Sequence, residues 1–196
     1  MPKPTAPSAD HDVASAEIVA ARLSDSYGLP DADLAFLGGE LDRNYRVSTG
    51  DGRVFLAKVR TKADRNGALQ WQKDILLHLA DRTSDGHLGV AVPSLVRTLD
   101  GHLDVGIDVG SERWLLTVLN WVSGTDMVRV AEHSQELLVD IGATAARVTK
   151  ALEGFESASI HITHHWDITR AADVIEECLA LDPTLEGSSE AQIALQ

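Results

Sequence analysis

The stretch "VFLAKVR", Val54 to Arg60, decides how this chain is read. It is apolar except at Lys58 and Arg60, and it is rich in β-branched and aromatic residues, so it predicts a strand. Alternation puts Val54, Leu56, Lys58 and Arg60 on one face and Phe55, Ala57 and Val59 on the other. Both faces are apolar up to Lys58, which argues for a central strand covered on both sides. A lone lysine in such a strand ordinarily lies near its end and reaches for water. A second role for Lys58 therefore needs support from its neighbours.

Upstream, "GDG" at 50–52 reads as a tight turn joining this strand to "NYRVST". The loop "GGELDR" joins that strand to a short one, "LAFLGG". Before these, "DVASAEIVAARLSDSYGL" has Ala16, Val19, Ala20, Leu23 and Tyr27 on one helical face. Asp12 is the expected N-cap, Gly28 the stop, and Pro30 confirms the break. Downstream, "TKADRNGALQWQKDILLHLADR" changes to helical period. Leu69, Gln72, Leu76 and Leu79 share a face there, with Ala68, Trp71 and Ile75 alongside. "LVRTLDGHLDVGI" and "RWLLTVLNWV" read as further strands. The Asp100-Gly101 pair is a hairpin turn, and Trp114 and Trp121 lie on one strand. From "AEHSQELL" onward the pattern is helical, with Leu138, Ile141, Ala145, Val148 and Leu152 in one stripe. A further helix is expected over about residues 170–181.

This order predicts an α+β lobe, with an antiparallel sheet of about five strands, followed by the first helices of an α-helical lobe. The expected segments are a leader at 1–11, the α+β lobe at 12–122, a linker at 123–130 and helices at 131–196. Of 196 residues, 44 % are hydrophobic, enough to build a core. The formal net charge of −13 argues against nucleic acid and anionic lipid as partners, though a local site can still be positive. No window holds the roughly eighteen apolar residues of a membrane span. The opening "MPKPTAPSADHD" lacks the apolar segment of a secretion signal. Cys178 is the one cysteine, expected to be buried on an apolar stripe, and the address expected is cytoplasmic.

Three features near Lys58 point to a ligand. Gly38 and Gly39 permit close approach of backbone N–H groups to a phosphate. Gln72 is a polar amide among leucines and needs a partner if buried. "LTVLNWVSGTDM" runs from a strand into a linker between lobes, a natural seat for a flat ligand. In this order the features resemble the small lobe of the protein-kinase-like fold, with "FLAK" standing where kinases carry "VAIK". "YGL", "LGGELDRNYRV", "FLAKV", "LQWQKDILLHL", "VLNWVSGT" and "HHWDI" together resemble the aminoglycoside phosphotransferase family. The similarity is greatest to its hydroxylysine-kinase-like branch, which occurs alone or fused ahead of a class III, pyridoxal-phosphate-dependent aminotransferase. The resemblance implies ATP and Mg²⁺, and a hydroxyl on an amino-containing metabolite as acceptor. It implies that Leu56 packs on adenine and that Lys58 reaches the phosphates. Gly38, Gly39 and Asn44 would shape the phosphate loop, and the backbone around Leu119, Asn120 and Trp121 would bond the base.

The chain also departs from that pattern. Kinase-like enzymes pair the strand lysine with a helix glutamate, and here Gln72 takes the position. A Lys58–Gln72 contact is expected, since an amide can hydrogen-bond the ammonium but not neutralise it. Asp74 faces elsewhere on the helix. No catalytic "H-x-D-x-x-x-x-N" loop follows: "HWDITRAA" has Ala172 where the asparagine belongs. No catalytic residue is therefore assigned in this chain, and the Mg²⁺ ligands are expected outside it. The expectation is an N-terminal part of a longer protein, inactive alone, with bared helix faces favouring a homodimer. The alternative is a non-catalytic regulatory or interaction module fused to an enzyme such as the aminotransferase, the one case in which pyridoxal phosphate would enter. His161, His164 and His165 beside Asp167 match no familiar metal spacing and read as surface histidines, so no metal ligand is assigned. Asp104, Asp108 and Glu112 read as solvated hairpin charges.

Overall fold

A tight turn sets the register of the whole sheet. Gly52 N–H donates to the Thr49 carbonyl at 2.9 Å, and Thr49 N–H donates to the Arg53 carbonyl at 3.0 Å. The structure is a computed structural model, and it describes residues 9–39, 42–60, 67–86, 88–109, 112–159 and 167–181. Outward from the turn, β2 (Asp42–Ser48) and β3 (Val54–Arg60) pair antiparallel, from Ser48 opposite Val54 to Asp42 opposite Arg60. On its other side, β3 pairs with β6 (Glu112–Asn120), Lys58 facing Thr117 and Leu56 facing Leu119. β3 is thus the central, two-sided strand expected. Residues opposite one another share a face. One face therefore carries Asp42, Asn44, Arg46, Leu56, Lys58, Arg60, Thr117 and Leu119.

The other face is the core. Tyr45, Val47, Phe55, Ala57, Val59, Leu116 and Val118 pack against α1 (Ala9–Tyr27) through Val19, Leu23 and Tyr27. Tyr27 donates its hydroxyl to the Leu116 carbonyl at 3.2 Å. Burial pushes that phenol well above its usual range, and the nearby Asp104 charge adds to the effect. α1 ends as expected at Gly28, whose φ is 63°. Leu29 N–H closes the cap onto the Leu23 carbonyl at 3.2 Å. Its start differs from expectation. The helix is described from Ala9, inside the segment expected as leader, so Asp12 lies within it and is no N-cap. No proline lies between Ala9 and Tyr27 to bar helical backbone.

The sheet has six strands in the order β1-β2-β3-β6-β4, with β5 also on β6. β1 (Asp33–Gly38) is an edge, and a bulge between Phe36 and Gly38 shifts its register on β2. The far side departs from expectation. The turn at Thr98–His102 forms, but β4 (Leu95–Val96) and β5 (Val105–Val109) do not pair as a hairpin. Both lie along the same edge of β6, β5 against Glu112–Leu116 and β4 against Val118–Leu119. β6 is nine residues long and accommodates both. Trp121 lies just beyond it, so it does not share a strand with Trp114, which is buried in the core.

α2 (Ala68–Ser84) lies on the polar-edged face of the sheet and α3 (Gln135–Ala151) follows the linker. Leu79 and Ala151 pack with Leu88, and His78 Nε2 lies 2.8 Å from the Ala151 carbonyl oxygen. Ser134 caps α3, accepting from Leu137 N–H at 3.2 Å. The first half of its apolar stripe is exposed, at Leu138, Val139 and Ile141. The described residues fall into two compact units, 9–159 and 167–181. α4 (Ala171–Leu181) belongs to the second, and Cys178 on it is partly exposed instead of buried. Among the described residues no helix is long and apolar enough to cross a membrane.

Candidate functional site

The sheet face opposite α1 holds a cavity of about 360 Å³ between β3, β6 and α2. Leu56, Lys58, Thr117 and Leu119 form its sheet wall, and Gln72 and Leu76 stand on the helix side. Four of the residues singled out from the sequence therefore meet at one place: Leu56, Lys58, Gln72 and Leu119. The expected contact is present, with Lys58 Nζ 3.5 Å from Gln72 Oε1. Asp74 faces away, as expected, and accepts from Gln70 and Ser157.

A second group shapes the turn from β1 into β2. Asn44 Nδ2 donates to the Gly38 carbonyl at 2.9 Å. Gly39 has φ 147°, and a Cβ there would run into the Asp42 carbonyl oxygen. Only glycine fits, because the backbone folds onto itself at this point. Gly38, Gly39 and Asn44 are thus one assembly, and Asn44 stands opposite Lys58 in the ladder. Glu40 and Leu41 lie outside the described residues, as do His161, His164 and His165.

The strand-to-linker junction is less open than expected. Asn120 N–H donates to the Ser94 carbonyl at 2.9 Å, and Trp121 N–H to the Val54 carbonyl at 3.3 Å. Those two donors are committed to the protein and cannot also serve a base without breaking these bonds. Neither Asn120 nor Trp121 lines the cavity; the Arg46 guanidinium sits over the Trp121 ring, 5.5 Å from its centre.

Sequence reasoning missed Asp42. Its Oδ2 lies 3.2 Å from Lys58 Nζ, and its Oδ1 accepts from Arg60 Nε. Asp42 and Arg60 side chains are only 9 % and 8 % exposed, so little water screens this pair. The signal was available, because counting outward from the Gly50–Gly52 turn pairs Asp42 with Arg60. Lys73 was missed too. It lines the cavity and pairs with Asp104 at 2.6 Å, so Asp104 is no simple solvated charge. Asp108 does pair at the surface, with Arg113. On the cavity walls the Trp71 indole N–H and the Thr117 hydroxyl are buried without a partner among the described residues.

On this face of β2 and β3, Arg46, Lys58 and Arg60 stand with one described carboxylate, Asp42. Arg46 and Lys58 thus place cationic groups on this face of a chain of net charge −13. Among the described residues no three acidic, imidazole or thiol groups come together.

The family model described as "APH: Phosphotransferase enzyme family" matches residues 34–196. Two solved structures share the fold. An amicoumacin kinase, hAmiN, described in complex with AMP-PNP, Ca²⁺ and Ami, superposes with a TM-score of 0.63 at 15 % identity, over 85 % of this chain and 50 % of that one. A microcompartment-associated aminopropanol kinase gives 0.56 at 18 % identity, over 80 % and 46 %. The present chain spans about half the length of these two kinases. No curated protein matches it.

Proposed function

Because this chain belongs to the APH phosphotransferase enzyme family, we propose that it carries the nucleotide-binding half of a kinase that phosphorylates a hydroxyl on an amino-containing small molecule. The observation that carries this reading is Lys58, held on the central strand in the wall of a mostly apolar cavity beside Gln72. Leu56 and Leu119 offer an adenine ring apolar surface. Main-chain contact to the base falls to carbonyls near Asn120 and to the linker from Val122 on. The turn at Gly38 and Gly39 lies next to Lys58 through Asn44, and its N–H groups would receive phosphate. The two solved kinases support the class: one is described with a nucleotide analogue and Ca²⁺, the other is named for an amino alcohol. ATP and a divalent cation follow as the expected co-substrate and cofactor. The residues that would perform catalysis are not among those described, so this half alone is expected to bind and not to transfer.

Lys58 decides the phosphate part of the affinity. Opposite unit charges about 4 Å apart attract by about 4 kcal/mol at an effective dielectric near 20. Even after most of that is lost to desolvation, more than about tenfold in affinity remains. The test is an ATP titration of the chain by thermal shift, comparing wild type with Lys58→Ala. A shift in wild type that is lost in the variant is expected. An equal shift in both would remove Lys58 from the site, and no shift in either would favour a second reading, a non-catalytic module fused to an enzyme. Gln72 at the position of a carboxylate is the observation behind that second reading.

A further inference from the structure

We propose that Asp42 is the positioning residue for Lys58, supplying from β2 the carboxylate that α2 does not bring to it, since Asp74 faces away. The inference rests on the nucleotide reading above. A lysine ammonium on a flexible four-carbon stem needs partners on more than one side to hold a direction. Gln72 meets it from the helix at 3.5 Å and brings no charge. Asp42 meets it from β2 at 3.2 Å and does bring one. Asp42 is itself pinned, because its other carboxylate oxygen accepts from Arg60 Nε, opposite it in the ladder. Sharing one carboxylate between two cations keeps Lys58 aimed without giving it a counter-ion to itself. Phosphate then meets an oriented ammonium that is only partly neutralised.

This arrangement separates two roles that a substitution would otherwise blur. A residue that merely braces Arg60 affects stability. A residue that aims Lys58 affects the preference for ATP over adenosine, because only ATP carries phosphate.

The experiment measures thermal shifts of the full chain with ATP and with adenosine, for wild type, Asp42→Asn, Gln72→Glu and the double variant. Asp42→Asn is expected to lose about tenfold in ATP affinity while adenosine binding holds, the scale of one charge-assisted hydrogen bond. Gln72→Glu in that background restores ATP binding, since a carboxylate again stands beside Lys58, now from α2. In the wild-type background, Gln72→Glu leaves Arg60 undisturbed. With Asp42 already in place, the extra carboxylate competes with phosphate, and ATP affinity falls severalfold. The inference is overturned, and the nucleotide reading left standing, by an unchanged ATP preference in Asp42→Asn. Absence of rescue in the double variant, or a gain in ATP affinity in Gln72→Glu alone, overturns it in the same way. A wild-type chain that shifts with neither ligand overturns both.

Discussion

Asn44 reaches out of β2 and donates to the Gly38 carbonyl at 2.9 Å, so the strand holds the turn that precedes it. Asn44→Ala removes that bond and is expected to cost about 1 kcal/mol of stability. Asn44→Asp keeps the shape, removes the donor and faces a carboxylate onto a carbonyl, so it should cost at least as much. Urea midpoints check both. ATP affinity is expected to fall with them, because the turn is then free to leave the position that Gly38 and Gly39 give it.

Thr117 is only 4 % exposed, and its hydroxyl has no partner among the described residues. A buried, unmade hydrogen bond costs about 1–3 kcal/mol. Thr117→Val keeps the volume and removes the polar group. It is expected to stabilise the chain by about 1 kcal/mol and to raise the melting temperature by a few degrees. A lower melting temperature would mean that the hydroxyl is satisfied in solution.

Asp51 organises the β2–β3 turn. The Thr49 hydroxyl bonds to it, and the Arg53 side chain and backbone N–H donate to it, which holds its carboxyl at about 2 against an ordinary 3.8. The folded value is the lower one, so Asp51 stabilises the fold fully above its ordinary value. That contribution drains as pH falls from 3.8 towards 2. Asp51→Asn is therefore expected to be less stable than wild type at neutral pH, with the gap closing across that window. The gap is small because Asp51 lies exposed at the surface. Urea midpoints at neutral pH and on both sides of the window check the sign.

How much of this was legible in the sequence depends on how local each signal is. Lys58 and Gln72 could be matched because strand alternation and helical spacing each fix a face within a few residues. Gly38, Gly39 and Asn44 were legible as a turn, though not the hydrogen bond that braces it. Asp42 was missed because its role depends on cross-strand register, a relation between residues eighteen apart that emerges only by counting outward from the turn. β4 and β5 misled for a different reason. A turn at Asp100-Gly101 suggests that its flanks pair with each other, but β6 is long enough to take both on one edge. The N–H groups of Asn120 and Trp121 were expected to be available, and the sequence gives no hint that Ser94 and Val54 already use them.

Asp42 touches two parts of the site with two parts of itself. Its carbonyl oxygen closes off the space beside Gly39, and its carboxylate bonds to Lys58. The glycine turn and the lysine are therefore not independent moving parts. A rotation of the backbone at Asp42 would move its carboxylate and the carbonyl beside Gly39 together, as one lever. Relaxation-dispersion rates at the Gly39 amide and at the Lys58 side chain should then coincide, and a change that slows one should slow the other.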